Sequence, residues 1–358
     1  MSEKKNASSL NKTSLFRWLW CGLGLLSVVL LAVSILSWQN YRTIMKLRDL
    51  HAIFQTERGQ LLNSLPVKWE DWLAGQLGED FLCAFENVTD LDLIGNTVSD
   101  LDVAQIRGLS KLQSLSLCYT QVTDTGMGHL EGLSELGSLD LSGTEITDKG
   151  LAHLERLREL QWLDLSESKI TDAGLICLEG LPKLQELNLS CTKISDAGLI
   201  HLKGMANLHD LNLSFTQVAD ANLVHLKGMK NLHDLDLSGT DVTDAGLAYL
   251  AGLSGLQNLD LSNTKISGAG LIHLKGMANL FELNLSNTQV TEASLIHLKE
   301  LRDLGRLDLS STNVMAPGLK RLQAALPRCS IFIDSNDDFP WILRKLNLKK
   351  NNAADREN

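Results

Sequence analysis

Aromatic side chains make up only 5% of this 358-residue chain, and it holds just five prolines. With 44% hydrophobic residues but so few rings, aliphatic side chains, leucine above all, must fill whatever core forms. The six cysteines (Cys21, Cys83, Cys118, Cys177, Cys191 and Cys329) are scattered, without a CxxC pair or any other metal-ligand spacing. Neither a disulfide framework nor a structural zinc site is implied. The chain also lacks a GxSxG elbow, a phosphate-binding loop, an HExxH pair and a dinucleotide-binding glycine fingerprint. The common catalytic classes are left without a carrier, so the expectation is a protein that is no enzyme and takes no cofactor or metal.

Positive charge is confined to the two ends. Residues 1–50 carry +5 and residues 340–358 carry +3, which leaves −18 for residues 51–339 against −10 for the whole chain. An acidic body repels a phosphate backbone, which argues against nucleic acid and for a neutral or basic protein partner.

One run has no charge at all. Leu19 to Trp38 reads LWCGLGLLSVVLLAVSILSW. As a helix at ~1.5 Å per residue it reaches ~30 Å, the thickness of a hydrocarbon core. Trp18, Trp20, Trp38 and Tyr41 sit at its ends, as interfacial aromatics do. A cleaved signal peptide is the competing reading. The run is long for one, and Ala32-Val33-Ser34 is the nearest cleavage triplet. We therefore expect a transmembrane helix over 19–38. Four basic residues before it against three after put the tail 1–18 in the cytoplasm and the remainder outside.

From Val88 to Pro327 the chain falls into ten blocks of 24 residues without an insertion or deletion. The block from Leu184 reads LQELNLSCTKISDAGLIHLKGMAN. Leucines at block positions 4 and 6 alternate with polar residues, the mark of a strand with one buried face. Apolar residues at positions 16, 19 and 22, such as Leu247, Leu250 and Leu253, are spaced for a helix. Ser or Thr followed by Asp (Thr171-Asp172, Thr243-Asp244) supplies the helix N-cap. One such unit cannot bury its own leucines, but a stack of them can. Ten parallel strands at ~4.8 Å would line a concave face ~43 Å long.

The pattern LxxLxLSxTxITDAGLxHLKGL resembles the leucine-rich repeat in its ribonuclease-inhibitor-like class, and more closely the 24-residue form of bacterial membrane and surface proteins. The resemblance covers two thirds of the chain. It implies an α/β fold: a right-handed solenoid, or horseshoe, with a parallel concave sheet and convex helices. It also implies an asparagine at position 9. Here only Asn96 fits, and Thr120, Thr144, Ser168 and their successors replace it, so an altered turn ladder is expected. Around the array we expect a helical stalk over 39–65 and an N-terminal cap over 66–87, with Trp69, Trp72, Leu73 and Leu77 on one helix face. A cap strand is expected within 328–339 and a basic, disordered tail over 340–358.

Positions 3 and 5 of the blocks should face the concavity. They carry Asp164, Glu186, Asp210, Asp234, Asp236, Asp260 and Glu282, a candidate acidic binding strip or simply a solvated face. Trp162 breaks the pattern at position 3, and Tyr119 and Phe215 at position 8, as exposed interface anchors would. The histidines at position 18 (among them His153, His201 and His273) read as half-exposed packing residues, since Cys177, Tyr249 and Arg321 take the same place. The Asn-x-Ser sequons at Asn188, Asn212 and Asn284 follow from the repeat itself. Two functions stay open. One is a membrane-held module for protein binding or adhesion through the concave face. The other is a ligand-binding receptor or regulatory subunit that signals through a membrane partner.

Overall fold

The computed structural model describes residues 87–93 and 97–334, together with the backbone of two short strands at 53–57 and 349–350. The chain divides into two compact units, at 1–88 and 89–358. In the first, strand β1 (Ile53–Glu57) is described. A helical stalk was expected there. The β-branched and aromatic residues Ile53, Phe54 and Thr56 favour extended backbone, and they override the helical spacing. The expected tail 1–18, transmembrane helix 19–38, the rest of the stalk and the cap helix over 66–87 lie outside the described residues. Among the described residues no helix is long and apolar enough to cross a membrane.

The second unit is the repeat array. Its strands are β2 (Asn87–Asp92), β3 (Ser114–Ser116), β4 (Ser138–Asp140), β5 (Trp162–Asp164), β6 (Glu186–Asn188) and β7 (Asp210–Asn212). They continue as β8 (Asp234–Asp236), β9 (Asn258–Asp260), β10 (Glu282–Asn284), β11 (Arg306–Asp308) and β12 (Ser330–Ile333). Each pairs in parallel with the next, in chain order. The expected cap strand is therefore present as β12. A two-residue strand, β13 (Lys349–Lys350), pairs with it, so part of the tail expected to be disordered extends the sheet instead.

Within each three-residue strand of the array the central leucine is buried and its neighbours are more open. From Leu91 to Leu307 these central leucines are at most 2% exposed. Each contributes ~1.5–3 kcal/mol on burial. The opposite side is less regular than a helix per repeat. Short α-helices occur at Asp100–Ile106, Asp244–Leu250 and Ala316–Ala325, but 3-10 turns replace them at Gly174–Gly180, Asp196–Leu202, Leu223–Gly228, Ala269–Gly276 and Ser294–Glu300. With 24 residues to close a circuit, these 3-10 segments have only six to eight residues each, and the 3-10 form covers more length per residue.

A polar seam joins the repeats along this side. Asp148 accepts from Thr171 twice, through the backbone N–H at 2.8 Å and the hydroxyl at 2.7 Å. Asp100, Asp124, Asp172 and Asp220 hold the next repeat's Ser or Thr in the same way. Thr123, Thr147, Ser195 and Thr243 are helix N-caps, so there one carboxylate orients the cap of its neighbour, while Thr171 stands two residues before the cap of its own segment. Glycine two residues beyond the cap's aspartate leaves room for it. A Cβ on Gly174 would stand 2.6 Å from Asp148 Oδ1. The position-9 hydroxyls turn inward: Thr144 Oγ1 donates to the Leu141 carbonyl at 2.6 Å, and eight other repeats do the same. A hydroxyl thus closes its own turn, a more local bond than the amide of the family asparagine can make.

The seam predicts a coupled pair. Asp148→Ala removes two bonds to the half-buried Thr171 and should cost ~1–3 kcal/mol in urea unfolding. Gly174→Ala should cost a similar amount by pushing on the same carboxylate. In the double variant the clash is gone, so the two losses should fall short of their sum. Strict additivity would mean that the glycine serves some other need.

Candidate functional site

Outward from the sheet point the side chains at positions 3 and 5. Their neighbours in register at position 3 run Ser138, Trp162, Glu186, Asp210, Asp234, Asn258, Glu282 and Arg306. Three carboxylates, on β6, β7 and β8, therefore stand side by side, and like charges directly opposite each other destabilise a sheet. Asp210 is the middle one. Burial and the flanking Asp234 and Glu186 push its carboxyl up to about 6, a shift only partly offset by His209. Among the described residues no lysine or arginine pairs with Glu186, Asp210 or Asp234, whereas Glu282 is held by Arg306 at 3.1 Å.

Position 5 is different. Asp164 and Asp260 accept from the backbone N–H two residues on, at Ser166 and Ser262, as Asp236 does from Ser238. Asn188 and Asn284 bridge from their strands to Asp164 and Asp260 at 2.8 and 2.7 Å. These three aspartates, expected to be ligand-facing, close the turns after their strands. Asp236 is pushed up by burial, with the Ser238 bonds opposing. A cavity of about 230 Å³ lies among Asp210, Asp234, Asp236, Asp260 and Glu282. A neighbouring one of about 320 Å³ brings Phe215, Glu282 and Arg306 together.

The aromatics divide. Trp162 is half-buried on β5, beside Glu186, and lines neither cavity. Tyr119 and Phe215 are 54% and 58% exposed, but each lies across a glycine of the next repeat. A Cβ at Gly143 would collide with the Tyr119 ring, and one at Gly239 with the Phe215 ring. Phe281 covers Gly305 likewise. Tyr119 also donates to Glu167 at 3.0 Å, which holds its phenol above the usual range. Both are therefore covers first, with an outer face left free.

Two features escaped the sequence reading. Position 8 is left-handed in each repeat from the second to the tenth, including Tyr119, Glu167, Cys191 and Phe215 at φ 54° to 55°. Gly143, Gly239, Asn263 and Asn287 at that position were the available signal. Secondly, His209 and His233 stack at 6.1 Å beside the acidic triplet, where other repeats carry threonine, glutamine, glycine or phenylalanine. On the far side, His153 and His201 lie 2.7 and 2.8 Å from Glu131 and Glu179, as packing residues with a polar partner. The described cysteines are unpaired. Burial raises the thiols of Cys118 and Cys177, and that of Cys329 to about 11.

A family profile described as a leucine-rich repeat region matches residues 84–291. No curated protein matches the chain significantly. Among solved structures, an internalin (inlF) from Listeria monocytogenes is 21% identical with a TM-score of 0.54, over 73% of this chain and 86% of that one. A leucine-rich-repeat protein of Leptospira interrogans is 22% identical with a TM-score of 0.51, over 64% and 62%. The ectodomain of the Arabidopsis receptor kinase HAESA, solved with an extended IDA peptide hormone, is 19% identical with a TM-score of 0.51, over 69% and 43%. At these identities the likeness speaks for the fold alone.

The crowding of carboxylates carries a pH signature. Asp210 sits near 6 in the fold, above its ordinary 3.8, so folding favours its protonated form. That contribution is full below about pH 4 and is lost as pH rises through about 6. Asp210→Asn should therefore melt higher than the parent at pH 8, by roughly 1 kcal/mol after allowance for solvent screening, and lose the advantage at pH 4. A variant less stable than the parent at pH 8 would mean that the carboxylate has a favourable partner.

Proposed function

This chain belongs to the leucine-rich-repeat family, and from that premise we propose that it is a membrane-anchored binding protein that holds a cationic stretch of a partner protein against the open face of its sheet. The observation that carries this is the triplet Glu186, Asp210 and Asp234, in register with no basic partner among the described residues. Such a row costs stability, and a lysine- or arginine-bearing segment laid along it recovers that cost. An extended peptide suits the geometry, because the carboxylates repeat at the strand spacing of ~4.8 Å. The HAESA ectodomain, of like fold, is likewise bound to a peptide. Trp162, next in register to Glu186, supplies an apolar contact at one end of the row.

The membrane part of the reading rests on the uncharged run Leu19–Trp38. We take it as a retained signal anchor, with residues 1–18 in the cytoplasm and the repeats outside. The function is adhesion or capture of a protein, without catalysis.

Adjacent substitutions separate binding from folding. Against a panel of lysine- and arginine-bearing peptides, Trp162→Ala should cost ~2 kcal/mol of affinity with little change in melting. Leu163→Ala, one residue along and 1% exposed, should cost ~2–5 kcal/mol of stability. The neutral variant Glu186→Gln/Asp210→Asn/Asp234→Asn should bind the peptides at least tenfold less tightly, and the parent should weaken as salt rises. Equal binding by the neutral variant would sink the cationic-ligand reading.

The anchor is tested by deletion. A chain lacking residues 1–40 should leave the membrane fraction after a carbonate wash, and one that still pellets is held by something else.

A further inference from the structure

The helical side of the array has a pattern of its own. Position 17 of each repeat faces solvent there, while leucine or methionine at positions 16, 19 and 22 fills the core. Ile200, Val224, Ile272 and Ile296 at this position are 40–58% exposed. Three residues further on, the same four repeats carry the exposed lysines Lys203, Lys227, Lys275 and Lys299. In a 3-10 segment residues three apart eclipse one another, so each aliphatic side chain and its lysine project from one side. The two also vary together. Where position 17 is small, at Gly128 and Ala152, position 20 is Glu131 and Glu155, and Ala248 goes with Ala251. Ile176 with Glu179 and, in the first repeat, Ala104 with Arg107 mix the two kinds, and the last repeat carries Lys320 with Gln323.

A single exposed aliphatic residue needs no explanation. Four of them, each joined to a lysine and set in two adjacent pairs on either side of the Ala248 repeat, make a ridge that the fold does not require. We propose that this ridge docks on an anionic lipid surface, with the aliphatic tips entering the headgroup boundary and the lysines reaching lipid phosphates. Charge selects this occupant. Asp196 and Asp220 are turned into the seam, where they hold Ala219 and Thr243, and of the four lysines Lys275 alone has an ion pair among the described residues, with Glu300 at 3.1 Å, which leaves three lysines uncompensated. A second copy centred on the ridge would set lysine against lysine. The acidic row, on the sheet face, would then point away from the lipid and toward a ligand. The inference rests in part on the anchor reading, because Leu19–Trp38 in a bilayer would keep the array near lipid.

The full chain in nanodiscs, at one copy per disc, provides the test by amide hydrogen exchange. Adding phosphatidylglycerol to phosphatidylcholine discs should slow exchange several-fold across 196–202, 223–228, 269–276 and 294–300, with the strands unchanged. The variant Lys203→Glu/Lys227→Glu/Lys275→Glu/Lys299→Glu should lose that difference while melting as the parent does. If this variant misfolds, the single changes Ile200→Ser and Ile272→Ser should each reduce the protection. Equal exchange in both lipids overturns the proposal, as does protection that appears only with two copies per disc. A failed anchor is read separately, as release by a carbonate wash. Vesicles of the two compositions added to the released chain then test the ridge alone, and pelleting with the anionic vesicles only is the expected result.

Discussion

Nearly every bond that holds one repeat to the next joins residues 23 to 25 apart, and the structure depends on that constancy. The strand ladder, the turn after it and the aspartate seam are three separate columns. Leu117 donates to the Asp140 carbonyl, Tyr119 to that of Ser142, and Thr147 to the Asp124 carboxylate. A single inserted residue would shift all three at once and leave buried backbone groups without partners. That is the physical reason ten blocks run without an insertion. The leucines supply the driving force, but leucines alone would accept several registers. The polar columns select one.

The same columns decide which carboxylates are free. Position 13 is committed to the seam and position 5 to the turn, so their negative charge is neutralised by N–H and O–H donors within the fold. Position 3 has no such duty. It carries serine, tryptophan, asparagine or arginine as readily as acid, and the array tolerates each. Where three acids coincide there, at Glu186, Asp210 and Asp234, the fold gains one amide bond, from Asn258 to Asp234, and bears their repulsion. A cost kept at a position free to change is the strongest local sign of a ligand.

Much of this was legible in the residues. The buried columns, the strand positions, the terminal strand β12 and the Ser/Thr caps follow from periods of two and three inside one block. What was not legible lies between blocks. The left-handed turn at position 8 is set by a bond to the following repeat, and Tyr119 or Phe215 there hides it. The 3-10 segments result from closing a 24-residue circuit, which no single block reveals. That Asp164, Asp236 and Asp260 also close turns was hidden, because alternation along a strand shows which way a side chain points. It does not show which neighbour takes its oxygens. The acidic row itself was visible, but the shift at Asp210 was not, since it arises from being the middle of three.

Reading down the columns also separates departures that serve the fold from those that do not. Gly268 replaces the seam aspartate in the eighth repeat, and Ser294 replaces the glycine that would have faced it. A Cβ on Gly268 would collide with the Ser294 hydroxyl, so bulk has moved across the seam and the total is kept. Tyr119 with Gly143, Phe215 with Gly239 and Phe281 with Gly305 are further exchanges of this kind. Each large residue is matched by a small one in the next repeat. Trp162 has Ser138 and Glu186 beside it and no glycine to cover. The aliphatic and lysine pairs of the helical ridge are uncompensated too. Compensation marks a change that the stack had to absorb. Its absence at Trp162, in the acidic row and along the ridge places the reason for those residues outside the chain, in whatever meets the two faces.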